Sequence, residues 1–238
     1  MASADVHALV HVLVHAATQR ELAELQSEWP PGSYHTALTL EYIVGGVGPV
    51  ATAISLSERL CTPPSPNLLL TIGIAGALDR ALALGEVVHV TREEFGDLGV
   101  EEADGSLTSL AALGLFDPDA PPFSAGRLHA PAAPAFAKQA TGVTCGRAYG
   151  SADSIARLRR RTDAQVESME GAAAMWVAAR RGIPFVQLRA ISNYVEPRDR
   201  AAWRIDLALA QLTEAVERLL SGLPGAAAAH SAKRRLGR

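Results

Sequence analysis

Val166–Arg198 reads VESMEGAAAMWVAARRGIPFVQLRAISNYVEPR. Two acids, Glu167 and Glu170, precede an alanine-rich apolar run that Gly182 and Pro184 interrupt. A second apolar run, Phe185–Ile191, carries one arginine, Arg189, and ends on Ser192–Asn193. This is the order of a strand edge, a helix stopped by glycine, and a buried strand with polar groups at its C-terminal end. In α/β folds, ligands bind outside the C-terminal ends of buried parallel strands. The stretch therefore predicts both an α/β fold and part of a site.

Working upstream, Val143–Tyr149 predicts a short strand that runs into Gly150–Ser151–Ala152–Asp153. The four arginines within Arg157–Arg161 read as a solvated helix face. Asp104–Gly142 is rich in Pro, Ala and Gly and weakly periodic. It predicts a surface excursion within one domain. Gly85–Glu93 predicts another strand. Leu68–Ile72 is almost wholly apolar, as in a sheet covered on both faces, and leads into a small-residue turn at Gly73–Ala77.

Leu38–Val44 predicts a strand, followed by Gly45–Gly46–Val47–Gly48–Pro49 and an apolar helix to about Leu60. Gly46, Gly48 and Ala51 match the GxGxxA dinucleotide fingerprint. However, Pro49 removes an N–H that a pyrophosphate would need, and no acid ends the following strand. A turn admitting a smaller ligand, with Pro in the first helical turn, fits better. At the start, Val6–His15 predicts the first strand. His7, His11 and His15 would spread along one strand face rather than converge on a metal. Thr18 and Glu21 have capping-box spacing, so Glu21 reads either as a helix cap or as a carboxylate at the mouth of the first strand.

Downstream, Asp199–Leu220 predicts a closing helix with Asp199 as N-cap. The Ala/Gly-rich, then basic, residues 221–238 predict a disordered tail. Alternation of strands and helices gives the fold class: α/β, a single domain over 1–220, with a mixed, mostly parallel central sheet flanked by helices.

The 238 residues are 48% hydrophobic and carry a formal charge of −3. That length suits one large domain, and that charge leaves no electrostatic footprint for nucleic acid. Two cysteines, Cys61 and Cys145, form neither a zinc spacing nor a disulfide framework and read as small core residues in a reducing compartment. No signal-peptide n-region and no membrane-spanning run is present, so the expected compartment is the cytoplasm.

A GxSxG elbow and a Walker loop are both absent. What remains is a set of carboxylates, an arginine and an amide at strand and turn ends: Glu21, the two glycine turns, Glu170, Arg189 and Asn193. Such a set suits a neutral ligand that carries a diol and a planar heterocycle.

In these ordered parts (Ala17–Glu21, Gly45–Gly48, Gly73–Gly76, Met169–Glu170 and Arg189–Asn193) the chain resembles the purine nucleoside phosphorylase/nucleosidase superfamily. The resemblance is to its methylthioadenosine/S-adenosylhomocysteine nucleosidase branch in particular, and it covers most of the chain outside the insert and tail. VESMEG at 166–171 and SNYVEPR at 192–198, followed by Trp203, look most like the futalosine hydrolase family. The resemblance implies a cofactor-free hydrolysis of an N-glycosidic bond that uses no metal and yields hypoxanthine. It implies that Glu21 activates water and that Glu170 holds the ribose hydroxyls, with Met169 packed on the ribose. Arg189 would fix Glu170 or line the pocket. Gly48, Ala75 and Gly76 would border the substrate, and the backbone near Tyr149 would receive the base.

The adenine-releasing relatives carry Asp where this chain has Asn193. An amide can donate to a 6-oxo oxygen and accept from N7–H, so it matches a 6-oxopurine. Other nucleosides remain open as substrates, including aminofutalosine and methylthioadenosine. So do a phosphorylase and a non-catalytic nucleotide-binding domain. The resemblance further implies a homodimer or higher homo-oligomer, with the 104–142 insert a candidate to complete a neighbour's pocket.

Overall fold

The computed structural model describes residues 10–34, 38–130 and 134–223. His7, the first residues of the expected opening strand and the tail from residue 224 lie outside them. The strands are β1 (Val10–Ala16), β2 (Gly32–Tyr34), β3 (Leu38–Val44), β4 (Leu68–Ala77), β5 (Val87–Phe95), β6 (Gly99–Glu101), β7 (Leu107–Ser109), β8 (Leu128–His129), β9 (Lys138–Thr144), β10 (Val166–Ser168) and β11 (Phe185–Tyr194). The helices are α1 (Gln19–Glu28), α2 (Pro49–Leu60), α3 (Ala152–Arg161), α4 (Gly171–Arg181) and α5 (Ile205–Ser221).

Nine strands form one mixed sheet, and β6 and β7 make a separate hairpin. β3, β1, β4 and β11 run parallel, β11 meets β5 antiparallel, and β5, β9 and β10 are again parallel. β10 then pairs antiparallel with the end of β4, which closes β4, β11, β5, β9 and β10 into a ring.

Successive residues of β1 point to opposite faces, and both faces are covered, one carrying Val10, Val12 and Val14 and the other Leu13 between the buried His11 and His15. Val12 and Val14 pack under α1 and α5 with Leu22, Leu25, Leu212 and Val216. Leu13 packs on the other face with Leu56 of α2 and with Ala174, Met175 and Ala178 of α4. Gly182 ends α4 in the left-handed conformation, φ 64°, where a side chain would be strained.

Several boundaries differ from expectation. The turn expected at Gly73–Ala77 is strand, because β11 on one side and β10 on the other take up its pairing as far as Ala77. Its glycines provide room instead of a bend: a Cβ on Gly73 would sit 2.8 Å from Glu21 Oε1, and one on Gly76 would sit 2.8 Å from Val195 Cγ2. β9 begins at Lys138, inside the expected insert. The closing helix starts at Ile205, after a short 3-10 turn capped by Asp199. Cys145 is buried as expected, but Cys61 is exposed at the end of α2. The insert docks on α4 through edge-to-face rings, with Phe123 and Trp176 centroids 4.9 Å apart. No helix among the described residues is long and apolar enough to cross a membrane.

Candidate active site

The C-terminal ends of β1, β4 and β11, together with β10 and its turn into α4, surround a cavity of about 300 Å³. Glu21, Ala75, Gly76, Tyr149, Met169, Glu170 and Asn193 all line it. Gly48 and Arg189, expected at the ligand, do not; both reach it through Glu170.

Glu21 stands in the first turn of α1. Its Oε2 accepts from the Thr18 N–H at 2.9 Å and from the Thr18 hydroxyl at 2.8 Å, while its Oε1 accepts from the Ile74 N–H at 3.2 Å. The capping box is real, and the same carboxylate lines the cavity. The cap fixes the side chain's rotamer, so the carboxylate is oriented before any ligand arrives.

Glu170 is the residue before α4 and is buried. Its Oε1 accepts from the Gly48 N–H and its Oε2 from Arg189 Nη1, each at 3.2 Å. Gly48 holds φ 96°, which aims its N–H at the carboxylate and opens α2 with Pro49 in the first turn. Arg189 is 1% exposed, and among the described residues its Nε and Nη2 find no partner. Its Nη1 is shared between Glu170 and, at 3.4 Å, the Ile74 carbonyl. His15 lies nearby under Gly45 and is pushed down to about 3, chiefly by burial and then by the charge of Arg189.

Asn193 follows a bulge: Ile191 pairs with Ala75 and Asn193 with Gly76, so Ser192 is the extra residue. Bulges re-aim side chains beside sites. The Asn193 Nδ2 donates to the Tyr194 carbonyl at 3.0 Å, and the Ser192 hydroxyl lies 2.8 Å from Oδ1. These contacts fix which end of the amide is nitrogen and leave one N–H and one lone pair free. The free N–H is available over Gly76, where a Cβ would lie 3.3 Å from Nδ2.

Two further acids lie at or behind the site, Glu167 and Glu93. Glu167 is 6% exposed and lines the cavity. Its Oε1 accepts from the Tyr149 N–H at 3.2 Å, so that N–H is already engaged. Burial pushes its carboxyl up to about 7, with the Asp97 charge adding to the shift and the Tyr149 N–H opposing it. Glu93, fully buried behind the site, accepts from Gln187 Nε2 at 2.8 Å and from the Thr144 hydroxyl at 3.0 Å. That hydroxyl in turn accepts from the Ala172 N–H at 2.7 Å, in the first turn of α4. Burial pushes Glu93 up to about 7 as well, against those two hydrogen bonds and the charge of Arg189.

The far side of the cavity is more apolar: Val47, Trp203, Ile205 and Leu209, with Arg20 and Arg198 at the rim. Arg198 stacks toward the Trp203 ring at 5.7 Å, and the segment is tied down by Arg198 N–H to the Gly150 carbonyl at 3.0 Å. No described residue of the 104–142 insert lines this cavity.

The phosphorylase superfamily model matches residues 32–223. A futalosine hydrolase of Streptomyces coelicolor is 35% identical over 229 residues, covering 88% of this chain and 95% of the relative. One from Thermus thermophilus is 35% identical over 188 residues, covering 78% and 83%. Among solved structures, a methylthioadenosine/S-adenosylhomocysteine nucleosidase from Neisseria meningitidis superposes with a TM-score of 0.73 at 18% identity, over 90% of this chain and all of that one. A futalosine hydrolase from Helicobacter pylori superposes with 0.73 at 14%, over 90% and 99%. The solved structures share the fold, and the sequence relatives narrow the assignment: the chain belongs to the phosphorylase superfamily and, within it, to the futalosine hydrolase family.

Proposed function

We propose that the protein hydrolyses the N-glycosidic bond of futalosine, releasing hypoxanthine and dehypoxanthine futalosine for menaquinone biosynthesis. The observation that carries this reading is two differently held carboxylates, Glu21 and Glu170, on a cavity that also holds the oriented amide of Asn193.

Breaking a ribosyl C–N bond builds positive charge on the sugar and negative charge on the base. Glu170 accepts from the ribose hydroxyls and, with Met169 against the ring, stabilises the cationic sugar. Arg189 and the Gly48 N–H hold that carboxylate in place. Glu21 orients the attacking water and takes its proton. The base lies against Ala75 and Gly76, where Asn193 donates to its 6-oxo oxygen and accepts from N7–H once a solvent water has protonated N7 of the departing base. A 6-amino group would set donor against donor, which costs about 1–3 kcal/mol. The side lined by Val47, Trp203, Ile205 and Leu209 receives the 5′ substituent. A second copy of the chain covers the apolar face of Val44, Val47, Val50 and Ile54, which is exposed in the single chain beside the cavity.

The test is hypoxanthine release from futalosine with and without phosphate. Release should be independent of phosphate, and a strict phosphate requirement would refute hydrolysis. Glu21→Gln should lower kcat by about 100-fold or more with the fold intact. Near-normal turnover would leave Glu21 as a cap alone.

A further inference from the structure

The arginines of α3 do not share one environment. Arg159 and Arg160 are exposed, as a solvated helix face requires, whereas Arg157 and Arg161, one turn apart, are half-buried. These two line a second cleft, of about 210 Å³, between α3, the β6–β7 hairpin and the turn after β5. Arg147 completes its basic side, and Asp97, Glu101 and Tyr149 line it as well. Among the described residues, Tyr149 alone borders both this cleft and the cavity of Glu21 and Glu170.

The positive charge of this cleft is not neutralised by pairing. Among the described residues, Arg147, Arg157 and Arg161 make no ion pair. Asp97 is engaged by the Gly146 N–H, which donates to its Oδ2 at 2.8 Å, and Glu101 is exposed. Arg157 has no hydrogen-bond partner among them either. Its guanidinium lies against the hairpin loop, where Gly105 holds φ 77° and a Cβ would stand 3.6 Å from Nη1. Arg161 donates from Nη2 to the Gly96 carbonyl at 3.1 Å and to the Tyr149 hydroxyl at 3.2 Å, but its buried Nε finds no partner among the described residues. Arg147 stands over the Tyr149 ring, 5.1 Å from its centre. Like charges at i and i+4 of a helix repel, so Arg157 and Arg161 destabilise the empty cleft.

We infer that this cleft binds a free tetrahedral oxyanion of the phosphate or sulfate class. Guanidinium groups pair with such ions through charge-assisted, often bidentate hydrogen bonds. The whole fork of Arg157 and the Nε of Arg161 are the donors without partners, and Arg147 adds charge from the open side. The ion supplies the counter-charge that Asp97 and Glu101 do not. Apart from Leu107, the apolar surface here is the Tyr149 ring, which Arg147 already covers, so nothing would hold the organic part of a phosphate ester. The bound ion is not a reactant, because the cleft meets the cavity of Glu21 and Glu170 only at Tyr149. The site therefore stands or falls independently of the proposed function.

Occupancy is read by thermal unfolding of the full chain in phosphate and in sulfate, against sodium chloride at matched ionic strength, since a ligand that binds only the folded state raises Tm. Exclusion of these salts from protein surfaces raises Tm unspecifically. The decisive reading is therefore the difference between the unmodified protein and Arg157→Gln. The variant should fold and be at least as stable without the anion, because it loses no partner and relieves a repulsion. Its rise in Tm with phosphate should be smaller, and its phosphate affinity by calorimetry about 10-fold or more weaker. Arg20→Gln, at the rim of the other cavity, should bind phosphate as the unmodified protein does. Equal Tm rises and affinities in Arg157→Gln and the unmodified protein would overturn the site, as would loss of phosphate binding in Arg20→Gln. Glycerol 3-phosphate should stabilise less than phosphate at equal concentration, and a larger effect would overturn the free ion as occupant. Hypoxanthine release from futalosine enters none of these readings, so failure of the hydrolase reading and failure of the anion site are told apart.

Discussion

Replacing Arg189 by methionine isolates what holds Glu170. The two groups are buried and 3.2 Å apart. At an effective dielectric of about 20 their attraction is roughly 5 kcal/mol before desolvation. Removing one member of such a pair leaves an uncompensated buried charge and costs about 3–5 kcal/mol. In a domain of this size that lowers Tm by roughly 6–20 °C. Glu170→Gln should also destabilise, because it strands a guanidinium whose Nε and Nη2 already find no partner among the described residues. The double variant Arg189→Met/Glu170→Gln carries no buried charge at this place, since methionine nearly fills the arginine stem's volume and an amide tolerates the Gly48 N–H. It should therefore be more stable than either single variant, with a coupling of about 2 kcal/mol or more. Urea denaturation of the four proteins measures this cycle, and turnover measured alongside separates stability from chemistry. The double variant should fold well and hydrolyse poorly. Additivity within about 0.5 kcal/mol would refute the pairing argument.

Glu93→Gln should change how stability depends on pH. The Glu93 carboxyl is pushed up to about 7, above its ordinary value, so the folded chain holds an extra proton between the two. The stability this contributes is fully present below about pH 4.5 and is lost as pH rises through about 7, to the extent of roughly 3 kcal/mol. The glutamine variant lacks that loss, so its stability relative to the unmodified protein should rise between pH 5 and 8 in urea titrations. Parallel pH profiles would count against a buried ionisable Glu93. In solution the chain should have at least the mass of a dimer by light scattering. Val50→Glu and Ile54→Glu together should shift it toward monomer, and a monomeric unmodified protein would rule out a partner on that face.

Much of this architecture is legible in the residues because a covered parallel sheet demands apolar runs such as Leu68–Ile72 and Phe185–Ile191, and little else folds that way. Glu21 was readable in two ways, as cap or as cavity acid, and one side chain does both. The five-strand ring was not legible: β10 is three residues long and carries no signal that its other edge meets β4. Glu93 was hidden for a related reason. Its stretch reads as a polar strand end, and its burial depends on Gly142 and Gly171, distant in sequence, which leave the space its carboxyl fills. Gly73 and Gly76 suggested a turn because glycine marks turns and close approaches alike, and only the neighbouring strands decide between them. Glu167 was visible as an acid, but its inward aim comes from the Tyr149 N–H.

The closed ring also governs how a molecule gets in and out. β4, β10 and β11 carry the groups around Gly76, and each is hydrogen-bonded to ring neighbours on both sides. Parting any seam among them would break a ladder of the circle. Traffic of substrate and free base must therefore pass through what lies outside the circle: the glycine turn that carries Val47 and the segment from Arg198 to Ile205. Substitutions in those two elements should therefore change the rate of product escape while leaving the ring intact.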